Sequence, residues 1–449
     1  MIVVPAAPLP AAEAARRAAP GRAAFWLASP GADGDIDVAV DYVGCDPLRV
    51  VEGSSVDELE TVWAEERRRW SGVSTAASEP GWPAGVGWLS YDLARRWMRL
   101  SARAADDHGW SDIGFGFYDA VWRREAGAAT AAIAAVDQPA AARLARRLAE
   151  SAPATDPLRL PPLQSDEPSA RYVAGVERIL AYLRAGDAYQ VNLARRLAVK
   201  LGVGDSLALA TLLRARAPAP HGLWLVSADG GGAIVGNSPE RFLRADGRGG
   251  IETRPIKGTR PRGGAWGRAG GSLLIDPRAD EEARVALAAS EKDRAEHVMI
   301  VDLERNDLGR VCRAGSVVVQ ELTRVLALPT VFHLVSTVRG TLRADVGLAA
   351  LLRATFPGGS VTGAPKQRAM EIIEELEPVR RGPYTGATGW LGAAGDLDLA
   401  VAIRTALVRR GRLTLSVGGG VVADSRPDAE LAETTAKAAA FAALSEPSP

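Results

Sequence analysis

From Ala170 to Arg184 the apolar residues Val173, Val176, Ile179, Leu180 and Leu183 recur three and four apart, the stripe of an amphipathic helix. Short apolar or alternating runs bounded by turn residues predict strands at Tyr189–Val199, Gly222–Ser227, Gly232–Gly236 and Arg412–Val417. Val86 to Tyr91 and Gly114 to Trp122 have the same texture. A short helix is expected over Ala141–Glu150 and a long one from Asp280 to Asn306. The Gly- and Arg-rich stretch Arg260–Gly271 reads as a surface loop. After Val417 the chain enters Gly418-Gly419-Gly420, expected at a passage from strand to helix. Asp424 or Ser425 is placed to cap that helix and Pro427 to sit in its first turn. Strands and helices mix without a strict βαβ rhythm, which predicts an α+β fold.

The same pass divides the chain. Residues 1–25, rich in Ala, Pro and Arg, read as a flexible terminus or short exposed helix. Residues 26–123 hold eight of the eleven tryptophans and read as a β-rich N-terminal lobe. Residues 124–168, with Pro153, Pro157, Pro161 and Pro162, read as a linker region, leaving 169–449 as the main domain.

Composition narrows the function classes. Lys+Arg and Asp+Glu both number 54 in 449 residues, so no net charge points to nucleic acid or a membrane surface. Cys45 and Cys312 lie far apart with no zinc or redox spacing, the pattern of reduced thiols in the cytoplasm. The start lacks the layout of a secretory leader, and no apolar run is long enough to span a bilayer.

Several clusters carry possible chemistry. Asp293 and Glu296 share a helical face, as do Glu430, Glu433 and Lys437. Each is a solvated face as readily as a ligand set; together they offer oxygens from two helices to a hard cation such as magnesium, which uses few direct carboxylates. Gly418–Gly420 lets backbone N–H groups approach an anion, or simply makes a tight turn. Lys257, in Arg254-Pro255-Ile256-Lys257-Gly258-Thr259, is an exposed charge or, if buried beside other cations, a nucleophile. His333 sits in an apolar, β-branched run that predicts a strand, where a structural histidine is the ordinary case.

Taken in order, these segments resemble the chorismate-utilising enzyme family, which includes anthranilate synthase large subunits, aminodeoxychorismate synthase component I, and isochorismate and salicylate synthases. The likeness spans about 169–445 and, more weakly, Gly85–Leu93. Its pieces include Asp187 to Leu193, Asn237-Ser238-Pro239-Glu240, Pro255 to Thr259, Lys292 to Glu296, Asp302 to Asp307, Phe356 to Lys366, Ala402 to Thr405, and Glu430 to Lys437. The resemblance implies two large antiparallel β-sheets packed as a sandwich with helices outside, chorismate as substrate and Mg2+ as cofactor. It implies Glu296 and Glu433 as direct metal ligands with Asp293 and Glu430 behind them. Tyr384, Arg404 and Gly418, Gly419 and Gly420 then grip the enolpyruvyl carboxylate, and Lys437 is a further cation on the substrate side. Gln190 and Thr259 also face the substrate, His333 lies against the ring, and Glu240 protonates the departing 4-hydroxyl.

Two positions separate the chemistries within that family. Isochorismate and salicylate synthases carry a water-activating lysine where this chain has Gln190, and a neutral amide cannot be that base. Anthranilate synthases carry alanine where Lys257 stands, whereas aminodeoxychorismate synthases carry lysine. The implied reaction is therefore amination at ring carbon 4, with Lys257 as transient nucleophile and ammonia from a separate glutamine amidotransferase subunit or from solution. The chain departs from the pattern in a longer 260–280 segment. It also lacks, in Phe25 to Ser29, the glutamate common in tryptophan-regulated relatives.

Overall fold

In the computed structural model residues 1–30, 39–71, 81–152, 158, 160–266, 273–329 and 331–445 are described. Pro153, Pro157, Thr330 and residues 267–271 of the expected 260–271 loop lie outside them. Two large antiparallel sheets dominate. The first runs Ile2–Ala6, Ala131–Ala135, Ala120–Glu125, Val40–Gly44, Phe25–Ser29, His221–Val226, Gly232–Ser238, Thr405–Arg409, Arg412–Val421, Gln190–Lys200 and Gly363–Ala364. The second runs Ile256–Pro261, Val331–Thr341, Gly250–Arg254, Arg241–Asp246, Asp396–Val401, Ala387–Gly392, Pro83–Leu89, Ile113–Phe117 and Arg49–Gly53. Val318–Ala327 lies along the other side of Val331–Thr341.

The sheets meet face to face. One core cluster joins Phe25, Leu27, Tyr42, Leu223 and Ile234 of the first to Val86, Trp88 and Trp390 of the second. Helices cover the outer faces. In Val56–Arg69, Val56, Leu59, Val62, Trp63 and Glu66 are buried at helical spacing, and Ser55 caps the start by accepting from the Glu58 N–H at 3.2 Å. Leu59 is fully buried against the second sheet, a contribution of about 1.5–3 kcal/mol for a side chain of this size. No helix among the described residues is long and apolar enough to cross a membrane.

Several sequence expectations change. Residues 26–123 do not make a sheet of their own: Phe25–Ser29 pairs with His221–Val226, and Pro83–Leu89 with Ala387–Gly392. Residues 1–25 are largely ordered, with Ile2–Ala6 on a sheet edge and Ala14, Ala15 and Ala18 of the helix Ala11–Ala18 fully buried. Within 124–168, Ala131–Ala135 joins the first sheet and Gln138–Ala149 is a packed helix. The expected 280–306 helix is two, Pro277–Ala289 and Glu291–Gly309, broken at Ser290, whose extended backbone and side chain cap the second. Pro261 ends Ile256–Pro261, and Gly264–Trp266 pairs with Leu273–Ile275 where a loop was expected. Gly418–Gly420 lies inside Arg412–Val421, paired with Gln190–Lys200, and not at a strand-to-helix passage. Ser425 does not cap the helix Pro427–Ala442, which starts from Arg426 with Pro427 in its first turn.

Candidate active site

Four elements meet around Lys257. It stands on the strand Ile256–Pro261, opposite Leu334 in Val331–Thr341. The register slips between Lys257 and Thr259 at Gly258, whose φ of 74° suits glycine. The slip lets Lys257 reach inward: its Nζ donates to the Ser360 carbonyl at 3.4 Å. Across from it, Gly420 has no side chain for a spatial reason. A Cβ there would stand 2.8 Å from Gln190 Nε2 and 3.1 Å from Lys257 Nζ. Gln190 is fully buried and neither amide atom has a hydrogen-bond partner. A buried amide of this kind needs a ligand or water to satisfy it.

Glu240 completes this group. It is 3% exposed, and one carboxyl oxygen has no partner. Burial pushes its carboxyl up to about 7, against the pull of the Ser360 hydroxyl, Lys257 and Arg404. Burial also lowers the Lys257 ammonium, helped by Lys437 and opposed by Glu296, Glu240 and Glu433. The acid is thus biased toward its protonated form and the amine toward its neutral form, the pairing that acid-assisted nucleophilic attack needs.

A second group holds His333, which is 1% exposed. Its Nε2 is 3.2 Å from an Arg404 NH2, and its Nδ1 is 3.0 Å from Thr259 Oγ1 and 3.4 Å from the Gly258 carbonyl. Arginine only donates, so Nε2 accepts and Nδ1 carries the proton. Burial, with Arg404 next, drives the imidazole down to about 3, so the ring is neutral. Arg404 itself is lowered to about 10 by burial, opposed by Glu240, and holds a left-handed φ of 49° that costs on the order of 1–2 kcal/mol. The Asn237 N–H anchors the Arg404 carbonyl at 3.0 Å.

The carboxylates form the third group. The helix Glu291–Gly309 carries Asp293 and Glu296 in its first turns, near the positive end of its dipole. The helix Pro427–Ala442 carries Glu430, Glu433 and Lys437. Ser425 donates to Glu430 Oε1 at 2.6 Å, and Arg195 fastens the same helix through Thr434 and Thr435 at 2.8 and 2.9 Å. Lys437 Nζ bonds Glu433 at 2.7 Å and the Gly418 carbonyl at 2.8 Å, and a Cβ on Gly419 would lie 3.0 Å from Glu430 Oε2. Burial raises Glu296 and Glu430; the Glu430 charge adds to the rise of Glu296. Burial also pushes Glu433 up, but Lys437, Lys257 and Lys292 together outweigh it and the carboxyl titrates below its ordinary value.

These oxygens fit a hard divalent ion in their chemistry, since Glu296 and Glu430 already feel one another's charge. As the side chains stand, no three His, Cys, Asp or Glu groups among the described residues converge enough to enclose an ion. A cation that keeps most of its waters and takes one or two carboxylates suits such a set. Asp293 turns partly aside, paired with Arg260 at 2.8 Å. Tyr384 is buried, with the Arg381 guanidinium 6.0 Å from its ring centre, and its phenol is raised by burial. Sequence reading gave no role to Ser360, whose carbonyl takes the Lys257 amine. Its place within Phe356 to Lys366 was the available signal.

This fold and site define a class: the chain belongs to the chorismate binding enzyme family, whose match covers residues 22–443. Among its relatives, aminodeoxychorismate synthase component 1 of Klebsiella aerogenes is 44% identical over 358 residues, 78% of this chain and 74% of that one. Anthranilate synthase component 1 of Streptomyces coelicolor is 37% identical over 448 residues, 94% and 83% of the two chains. The crystal structure of anthranilate synthase component I from Streptococcus pneumoniae superposes with a TM-score of 0.75 at 27% identity, covering 90% of this chain and 92% of that one.

Proposed function

We propose that this chain aminates chorismate at ring carbon 4, giving 4-amino-4-deoxychorismate for para-aminobenzoate and folate synthesis. The similarity to aminodeoxychorismate synthase component 1 supports the reaction. The observation that carries it is Lys257, its amine turned inward beside Glu240, Gln190 and Gly420.

The neutral Lys257 amine attacks carbon 2, the ring double bonds shift, and the 4-hydroxyl departs as water with the proton of Glu240. Ammonia then attacks carbon 4, the bonds shift back, and the Lys257 nitrogen leaves as a neutral amine. The proton lost by the new amino group returns to Glu240, so the site is restored and the net change is chorismate plus ammonia to product plus water. Arg404, Tyr384 and the Gly418–Gly420 backbone hold the enolpyruvyl carboxylate, and Lys437 is a further cation on the substrate side. Pairing of Arg412–Val421 with Thr405–Arg409 stops at Leu415, which leaves that edge of the glycine run open to a ligand. Neutral His333, fixed by Arg404 and Thr259, presents a flat face to the ring.

Glu296 and Glu433 are the carboxylates that would bind Mg2+ directly, with Asp293 and Glu430 behind them. When bound, the ion supplies charge that anchors the substrate's ring carboxylate. A separate glutamine amidotransferase supplies ammonia, in keeping with the "component 1" of the relatives' name. Cytoplasmic placement fits two free cysteines, Cys45 and Cys312.

Mass identification of the product from chorismate, magnesium and an ammonium salt tests the reading. A 4-amino product that retains the enolpyruvyl group supports it; anthranilate with released pyruvate would overturn it.

A further inference from the structure

Behind the site lies Arg381, 6% exposed, and its guanidinium is fully engaged. Nε and one NH2 donate to the two oxygens of Glu377 at 2.9 and 2.6 Å. The same NH2 donates to the Asn192 carbonyl at 3.0 Å. The other NH2 donates to the Val361 carbonyl at 2.9 Å and to Thr385 Oγ1 at 3.2 Å. Every N–H that an arginine side chain carries therefore has its own acceptor. The carbon of the guanidinium also stands 4.6 Å from the centre of the Tyr91 ring.

Each acceptor belongs to a different part of the site. Asn192 stands two residues after Gln190 and opposite Gly420. Glu377 reaches the same strand by accepting the Ala194 N–H at 2.9 Å. Val361 follows Ser360, whose carbonyl takes the Lys257 amine at 3.4 Å and Asn192 Nδ2 at 2.7 Å. Thr385 follows Tyr384. The next residue, Gly382, is fixed from the early chain: its carbonyl accepts the Tyr91 N–H at 2.7 Å and its N–H donates to Asp92 at 2.8 Å. One cation thus spans the Lys257 side and the Tyr384 side.

The turn at Tyr384 is held against its own preference. Thr385 has a φ of 57°, a left-handed conformation that β-branched residues rarely adopt. Its N–H donates to the Ala402 carbonyl at 2.9 Å while Arg381 holds its hydroxyl. Such a conformation persists only while its surroundings impose it. A lysine at 381 keeps the charge beside Glu377 but has three donors and no planar fork, so it cannot hold all these parts at once.

We propose that Arg381 is a positioning residue. It sets the Tyr384–Thr385 turn against the Gln190 strand and Val361, and so fixes the enolpyruvyl-carboxylate subsite relative to the Lys257 amine. This rests on the reading above of Tyr384 as a contact of that carboxylate.

Thr385→Ala is the mild test. It removes the hydroxyl that Arg381 holds and eases the left-handed backbone, so the chain should fold and melt cooperatively. In ammonium-dependent consumption of chorismate, its KM for chorismate should rise about tenfold, the effect of losing one hydrogen bond to a charged group. Its KM for ammonium should stay as in wild type. Arg381→Lys should raise KM for chorismate further, to about a hundredfold, and lower kcat as well, because a displacement on the order of 1 Å suffices for that. An arginine that served stability alone would lower the melting temperature and the active fraction and leave KM for chorismate unchanged. Unchanged KM for chorismate in either folded variant, or both Michaelis constants of Thr385→Ala rising alike, overturns the proposal. If Arg381→Lys does not fold, Thr385→Ala decides by itself. Chorismate consumption is read whatever the product, so a wild type that releases anthranilate overturns amination at carbon 4 and leaves this comparison intact.

Discussion

Lys257 owes its proposed role to where its amine sits as much as to its residue type. Burial and Lys437 push it toward the neutral form while Glu296, Glu240 and Glu433 resist. Lys257→Ala should abolish 4-amino-4-deoxychorismate formation at low ammonia and open space beside carbon 2, where ammonia can add directly to give 2-amino-2-deoxyisochorismate or anthranilate. Wild type with chorismate but no ammonia should leave a substrate-derived mass on the Lys257 peptide. No adduct, together with undiminished 4-amino product from Lys257→Ala, would show that ammonia reaches carbon 4 unaided. Glu240 sets the other limb. Its acid form is the active one and titrates near 7, so the rate at constant free ammonia should fall as pH rises through that value. Glu240→Gln should lower kcat by about 10²–10⁴-fold and abolish that falling limb. A limb that persists in the variant belongs to another group.

At the scale of elements, the site depends on two helix starts. Ser290 breaks what the hydrophobic pattern joins and caps Glu291–Gly309, so Asp293 and Glu296 fall in its first turns, where the dipole favours negative charge. Pro427 starts the opposing helix, and Arg195 pins it from the Gln190–Lys200 strand. Glu433→Gln removes one proposed ligand and the counter-charge of Lys437. Magnesium titration of the rate should show affinity weakened by more than about tenfold, the lower end of what disturbing a metal's supporting shell costs. An unchanged magnesium dependence removes Glu433 from the ligand set.

The whole molecule is built on one pair of sheets. In each, the strands from the first 135 residues form a block at one end, joined to the later strands where Phe25–Ser29 pairs with His221–Val226 and Pro83–Leu89 with Ala387–Gly392, so the early chain extends the sheets that carry the site instead of forming a separate lobe. Neither cysteine is built as a glutaminase nucleophile: Cys45 is raised to about 12, by burial first and then Asp46, and Cys312 is buried and also raised. Glutamine should therefore support turnover only when a separate amidotransferase is added, while ammonium at high pH should serve alone. Glutamine-dependent turnover by the purified chain would contradict this.

Much of this was legible in the chain because the signal is local. The helix Ser169–Arg184 and the strands Gln190–Lys200 and His221–Val226 follow from their own periodicity, and the residue types at 190 and 257 separate the chemistries without reference to any partner. The residues proposed for the site were named from ordered short segments, each of which fixes its own backbone. What sequence alone did not decide depends on residues far apart. The glycine run looked like a turn, and only its pairing with Asn192–Ala194 and the crowding of Gln190 and Lys257 over Gly420 make it a strand. The tryptophan-rich segment looked like a lobe because periodicity reports which face is buried, not which strand lies alongside. Whether Lys257 is an exposed charge or an inward amine is likewise a tertiary fact, because desolvation and neighbouring charges set it, and they arrive from Glu240, Glu296 and Lys437 on three other parts of the chain.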